Sequence, residues 1–317
     1  MDSKLNGVLF TAPTSGRTDH GGFTLTDLLV VIATFGILAV LVLPTLGFSK
    51  ARPQAVVCLN NFNQLAKACA MYTGDNQQFF PPNPDDGGTS PGYEWCAGDV
   101  SGWTAPIPPS GGSAEAGDAT YVTDPKYSLL APYLAGSAVP FKCPTDWRIC
   151  TYQGQQVPVV RSVSANAGVG TADLSWLEGA GHSGIPRMPA GGAWLNGSGN
   201  ELQTLYATFG STSDFKNCSP SDIFSYADED PLSINDGALA IVASTPEVVD
   251  YPSTRHQNGA GFAFCDGHAE MHKWKSNVFV LNSEGYIQSI RSAGPEKNDW
   301  YWLAWHASRK LSTGNIP

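Results

Sequence analysis

Hydrophobic positions crowd toward the N-terminal end of the chain. Residues 28–49 carry no charge over twenty-two positions. As a helix rising 1.5 Å per residue, that run reaches about 33 Å, enough to cross a hydrocarbon core of roughly 30 Å. The pattern predicts one membrane-spanning helix over residues 23–48. Mean hydropathy of the whole chain is −0.14, so the remainder is too polar for further spans.

After Pro44 and Pro53, which are expected to bend the helix, Cys58, Phe62, Leu65, Cys69 and Tyr72 recur at spacings of three and four. This stripe predicts an amphipathic helix over 49–76, the spine against which a globular domain packs. Cys58 and Cys69 sit about 16 Å apart along such a helix, too far to bond to each other.

From 77 to 119 the chain is crowded with Pro, Gly, Ser and Asp, and a second glycine-rich stretch follows from 168 to 199. Both read as loops. Strand signals strengthen late. Ala238 to Ala243 form a compact apolar run, and Gly261 to Cys265 precede Asp266-Gly267, which predicts a tight hairpin. The returning strand, His268 to Trp274, places His268, Glu270, His272 and Trp274 on one face. Two imidazoles and a carboxylate are a conceivable zinc set, yet an exposed polar face accounts for the pattern.

Charge narrows the partners. The chain carries 18 Lys and Arg against 28 Asp and Glu, a net −10. The first fifty residues balance three against three, so the whole excess falls on residues 51–317. An acidic domain without a basic cluster repels phosphate backbones and argues against nucleic-acid binding. Calcium is compatible with the oxygen-rich segments Asp85-Asp86, Asp228-Glu229-Asp230 and Asp236-Gly237. Seven cysteines without a CxxC pair give no zinc ribbon, and outside the cytoplasm some would form disulfides.

Immediately before the apolar run stands Gly21-Gly22-Phe23-Thr24-Leu25-Thr26-Asp27-Leu28-Leu29-Val30-Val31-Ile32. A lone carboxylate just inside a membrane stretch is costly and marks a functional position. The string resembles type IV prepilins and type II secretion pseudopilins, whose precursors usually read G-F-T-L-I-E-L-L-V-V-I. The resemblance covers Gly22 to about Pro44. It implies a leader over residues 1–22, cleavage by prepilin peptidase between Gly22 and Phe23, and N-methylation of Phe23. It also implies an assembly role for Asp27, whose carboxylate would neutralise the amino terminus of an adjacent subunit. Asp27 stands where the family usually has Glu. The leader holds Asp2 and Asp19 beside Lys4 and Arg17, an unusually mixed charge for which a translation start downstream of Met1 would account.

Three further segments resemble large prepilin-like proteins of planctomycetes, the DUF1559-like class. They are Cys58-Leu59-Asn60-Asn61-Phe62-Asn63-Gln64-Leu65, Phe141-Lys142-Cys143-Pro144-Thr145-Asp146, and His256 followed after nine residues by Asp266-Gly267, an H-x9-DG motif. This likeness implies a disulfide between Cys58 and Cys143. The residues themselves suggest that His256 fixes the hairpin through a hydrogen bond to Asp266.

The fold expected is α+β and pilin-like: a long N-terminal transmembrane and spine helix packed on an antiparallel sheet domain over 77–317, with long Gly/Pro-rich loops. The function expected is that of a structural subunit of an envelope filament or secretion system, with no catalytic residues. It would be held by membrane lipid in the inner membrane, its domain periplasmic or extracellular, its partners other pilin-like subunits. Two alternatives are a tethered carbohydrate-binding or hydrolytic domain, with Trp95, Trp103, Trp176 and Trp194 as a sugar platform, and a metal enzyme centred on His256, Asp266, His268 and His272.

Overall fold

The computed structural model describes residues 24–83, 91, 94–100, 114–172, 188–197, 205–281, 288–290 and 294–315; the side chains of 39–52, 114 and 288–289 are outside that description. The chain divides into two compact units, Met1–Ser49 and Lys50–Pro317. Helix α1 is Leu25–Asp75 and stays helical through both Pro44 and Pro53.

In the first unit α1 opens with a reciprocal cap. The Thr24 amide and hydroxyl donate to Asp27 Oδ2 at 2.9 and 2.7 Å, and the Asp27 amide donates to Thr24 Oγ1 at 3.2 Å. Two of the amides a helix start leaves unpaired are thereby satisfied. Beyond the cap the apolar side chains face outward: Leu25 is 77% exposed, Phe35 67% and Ile37 63%. Among the described residues no helix is long and apolar enough to cross a membrane; the second half of the charge-free run lies among the side chains outside the description.

In the second unit the strands are β1 (Ile149–Tyr152), β2 (Gln155–Pro158), β3 (Val163–Asn166), β4 (Thr171–Ala172), β5 (Met188–Pro189), β6 (Phe224–Asp228), β7 (Ala238–Leu239), β8 (Glu247–Val248), β9 (Gly259–Phe264), β10 (Ala269–Lys273) and β11 (Gln288–Ser289). Five of them form a mixed sheet in the order β10-β9-β6-β3-β7. The first three pairings are antiparallel, but β3 and β7 run parallel, with Ala165 opposite Ala238. The expected all-antiparallel sheet is corrected at that edge. The apolar run 238–243 supplies only two strand residues. Its later polar groups find partners elsewhere: the Ala240 amide donates to Asp250 Oδ2, Ala243 to the Leu195 carbonyl, and Val242 accepts from the Trp300 indole.

The sheet is covered on both faces. Cys58, Phe62, Leu65, Cys69 and Tyr72 of α1 form one core with Val163, Ala165, Tyr226 and Ala263. The opposite core joins Phe224, Ala227, Phe262 and Phe264 to Trp300, Leu303, Ala304 and Ala307 of a C-terminal helix, Pro295–Ala307. Alternation along β9 sends Ala263 to one layer and Phe262 and Phe264 to the other, as the two-residue period of a strand requires. The spine stripe is thus buried at every predicted position.

The hairpin forms as its sequence predicts. β9 and β10 pair with Ala263 opposite Ala269, and Gly267 takes a positive φ of 95° in the turn. The histidine face of β10 is not an open polar surface, however. His272 stacks on Trp302 of the C-terminal helix at 3.6 Å between centroids, and His268 stacks on Phe264 at 4.2 Å. The helix packed over that face half-buries His272, whereas His268 stacks within its own hairpin.

A buried thiol, carboxylate and imidazole cluster

Cys58, Cys143, Asp228 and His256 each aim one donor atom into a single buried spot, and the four atoms lie within 4.8 Å of one another. Four separate segments supply them. Cys58 stands on the inward stripe of α1, one turn before Phe62. Cys143 follows the 3-10 turn Val139–Phe141 and is brought to Cys58 by Asn61. The Asn61 side-chain amide donates to the carbonyls of Val139 and Lys142, both at 3.0 Å. The Cys143 amide donates to Ser162 Oγ at 2.8 Å, which fixes the same loop to the start of β3.

Asp228 ends β6 opposite Val163. Its carboxylate accepts from Ser162 Oγ at 3.1 Å, from Arg255 Nε at 3.3 Å, and from Arg255 Nη2. Arg255 also donates to the Glu229 carbonyl at 2.9 Å and lies 3.9 Å from Asp146, which pairs with Arg148 at 2.9 Å.

His256 is placed by an uncommon backbone. His256, Gln257 and Asn258 take φ of 60°, 64° and 62° in succession, a left-handed turn that L-residues adopt at a cost. The turn is tied down on several sides. Lys273 donates its ammonium to the His256 and Gln257 carbonyls, and the Asn258 side chain donates to the carbonyls of Trp274 and Ser276. Held this way, His256 Nε2 meets Cys143 Sγ at 3.1 Å, while Nδ1 is buried with no hydrogen-bond partner.

The two thiols are shifted in opposite directions. The Cys58 thiol facing Cys143, together with His256, Arg255 and Thr145, pulls Cys143 down to about 3 against the effect of burial. Cys58 is pushed up, by its hydrogen bond to Cys143 first and then by burial and Asp228. Burial pushes Asp228 up to about 7, with Arg255 acting the other way.

The expected site residues distribute unevenly. Cys58, Cys143 and His256, from three separate motif segments, meet at this cluster, and both cysteines are free thiols. Asp266 does not meet His256. Its Oδ1 lies 2.5 Å from His268 Nδ1 at an exposed turn, and His256 turns to Cys143 instead. His268, Asp266 and His272 therefore do not gather round His256 as a metal set. Asp228 was read only as part of an acidic loop segment, but with Glu229 it is buried at the end of a central strand, and Asp236 is buried too. The signal for Asp228 lay in the apolar residues of its strand, Phe224, Tyr226 and Ala227, and in the Arg255 beside His256.

Gly22 and Phe23 lie outside the described residues, as do Asp85, Asp86, Trp103 and Trp176. Trp95 is buried and donates its indole N–H to the Gly237 carbonyl at 2.8 Å, so it belongs to the core and not to a sugar platform. A thiolate beside an imidazole is the pairing of cysteine nucleophiles, but Cys143 is 1% exposed and Cys58 fully buried, which closes the pair to a substrate. No known protein family, curated protein or solved structure matches the chain.

Proposed function

We propose that the chain is a prepilin-like structural subunit, of pseudopilin or minor-pilin type, in an envelope filament or a type II secretion-like system. Prepilin peptidase cuts it between Gly22 and Phe23, and the new Phe23 terminus is methylated. Residues 23–48 hold it in the inner membrane and pack with the helices of other subunits, while the domain stands on the periplasmic or extracellular side.

The observation that carries this reading is the contrast along α1. From Leu25 to Leu38 the large apolar side chains are exposed, whereas from Cys58 to Tyr72 the inward stripe is buried in the domain core. Exposed apolar surface of that extent calls for lipid or other helices as its surroundings. A long helix seated on a sheet is also the arrangement pilin-like subunits use, and the buried thiol cluster gives no opening for catalysis. The cap made by Asp27 adds that this carboxylate sits at the very start of the helix, one turn from the amino terminus that cleavage would create.

The N-terminal sequence and mass of the protein taken from its native membrane test the reading. The expected product begins at Phe23 and carries one added methyl group. An intact leader overturns it. Changing Asp27 to Ala is expected to lower the entry of mature protein into filaments, and undiminished assembly removes the role assigned to that carboxylate.

A further inference from the structure

We propose that Cys58, Cys143, Asp228 and His256 bind one zinc ion, and that the site is structural. Two sulfurs, one imidazole nitrogen and one carboxylate oxygen suit zinc and not calcium or magnesium, which take oxygen donors. In a tetrahedral site with bonds of about 2.0–2.3 Å the ligand atoms stand roughly 3.3–3.8 Å apart. The four donors are already within 4.8 Å of one another, and one pair is at 3.1 Å. Small side-chain movements complete the geometry.

Charge points the same way. Three acidic side chains, Cys58, Cys143 and Asp228, face one cation, Arg255, which pairs with Asp228, while Asp146 pairs with Arg148. Zinc binds cysteine as thiolate, so thiol protons leave to solvent on binding. The imidazole is also under-used as it stands: His256 is 8% exposed, makes its hydrogen bond to a sulfur, and has none through Nδ1. A bond from Nε2 to the ion replaces the sulfur contact and fixes the ring proton on Nδ1.

The surroundings are those of a built site. Arg255 and Ser162 orient Asp228, Asn61 and Ser162 hold the Cys143 loop, and Lys273 holds the left-handed turn under His256. Such outer partners are what fix ligands in metal centres. All four ligands are buried, leaving no open position for substrate, so the ion fastens α1, the Cys143 loop, β6 and the final hairpin to one another. A disulfide between Cys58 and Cys143 would use two of the four donors and leave His256 Nε2 against a weakly accepting sulfur.

The test uses the full chain in detergent, purified anaerobically with a non-chelating reductant. One zinc per chain is expected by elemental analysis, and replacement with Co2+ is expected to give the visible bands of tetrahedral thiolate coordination. Cys58→Ser, Cys143→Ser and His256→Ala should each lose the metal, and Cys218→Ser, outside the cluster, should retain it. Because the cobalt spectrum is read on the unmodified chain, a variant that fails to fold leaves the test intact. Absence of metal uptake by the reduced chain overturns the proposal. So does a Cys58–Cys143 disulfide found by peptide mapping of protein alkylated directly from its native envelope.

Discussion

Gly261 lies against the ring of Phe62 so closely that a Cβ on Gly261 would stand 2.5 Å from Phe62 Cδ2 and Cε2. The ring has nowhere to go, since Phe62 is buried in the layer between α1 and the sheet. Glycine on β9 therefore sets how near the spine comes to the sheet. Gly261→Ala is expected to destabilise by about 1–3 kcal/mol, the range of overpacked cores. Adding Phe62→Leu should recover part of that loss, giving a coupling that chemical denaturation of the single and double variants measures. Strict additivity would mean that the two residues do not press on each other.

Asn61 is the only described side chain that donates to both the Val139 and Lys142 carbonyls. Asn61→Ala leaves those carbonyls without their donor, and a loss of about 1–3 kcal/mol is expected. Asn61→Asp, which keeps the shape but supplies an acceptor where a donor is needed, should be no better. Thermal unfolding of the two variants decides this, and an Asp variant as stable as the parent would refute the assignment.

His272 supplies a pH dependence. Burial beneath Trp302 lowers its pKa from 6.5 to about 4; His306 and Lys275 act in the same direction and Asp299 opposes them. As pH falls, the unfolded chain takes up this proton first, so stability is lost progressively from about pH 6.5 down to about 4. The partly buried ring limits the effect to on the order of 1–2 kcal/mol. His272→Phe keeps the stacking and removes the titration. The expected result is a smaller drop in denaturation midpoint between neutral pH and pH 4.5 than in the parent; equal slopes would exclude His272 as a source.

Gln257 occupies the middle of the left-handed turn at φ 64° with its side chain exposed. Glycine removes the Cβ penalty there, so Gln257→Gly is expected to be neutral or stabilising by up to about 1 kcal/mol. Gln257→Val is expected to destabilise by about 1–2 kcal/mol, because a β-branched residue resists that region. Melting temperatures of the pair check the ordering, with Val above Gly as the contrary outcome.

Much of the framework was legible because local chemistry determines it. The α1 stripe follows from helical spacing, and the β9–β10 hairpin from Asp-Gly between apolar runs. The C-terminal helix was missed although Trp300, Leu303, Ala304 and Ala307 fall at helical spacing and Pro295 suits a first turn; its aromatic and charged mixture weakens the amphipathic signal. The parallel pairing of β3 and β7 was not legible, since an edge of two residues carries no periodicity. The partner of His256 is not legible for a related reason. Asp266 is near in sequence, but the left-handed turn swings the imidazole to a thiol contributed by a segment far upstream, and no pattern within the hairpin announces such a turn.

The sequence distance between His256 and Cys143, 113 positions, has a consequence for the order of folding. Closing so long a loop costs chain entropy before any contact is gained, and His256 is held through Lys273 of the last strand in the sheet. The cluster therefore assembles only after the β9–β10 hairpin has paired. A chain halted before residue 256 carries Cys58, Cys143 and Asp228 without the imidazole that completes the cluster, so the cluster reports whether the whole domain has been made.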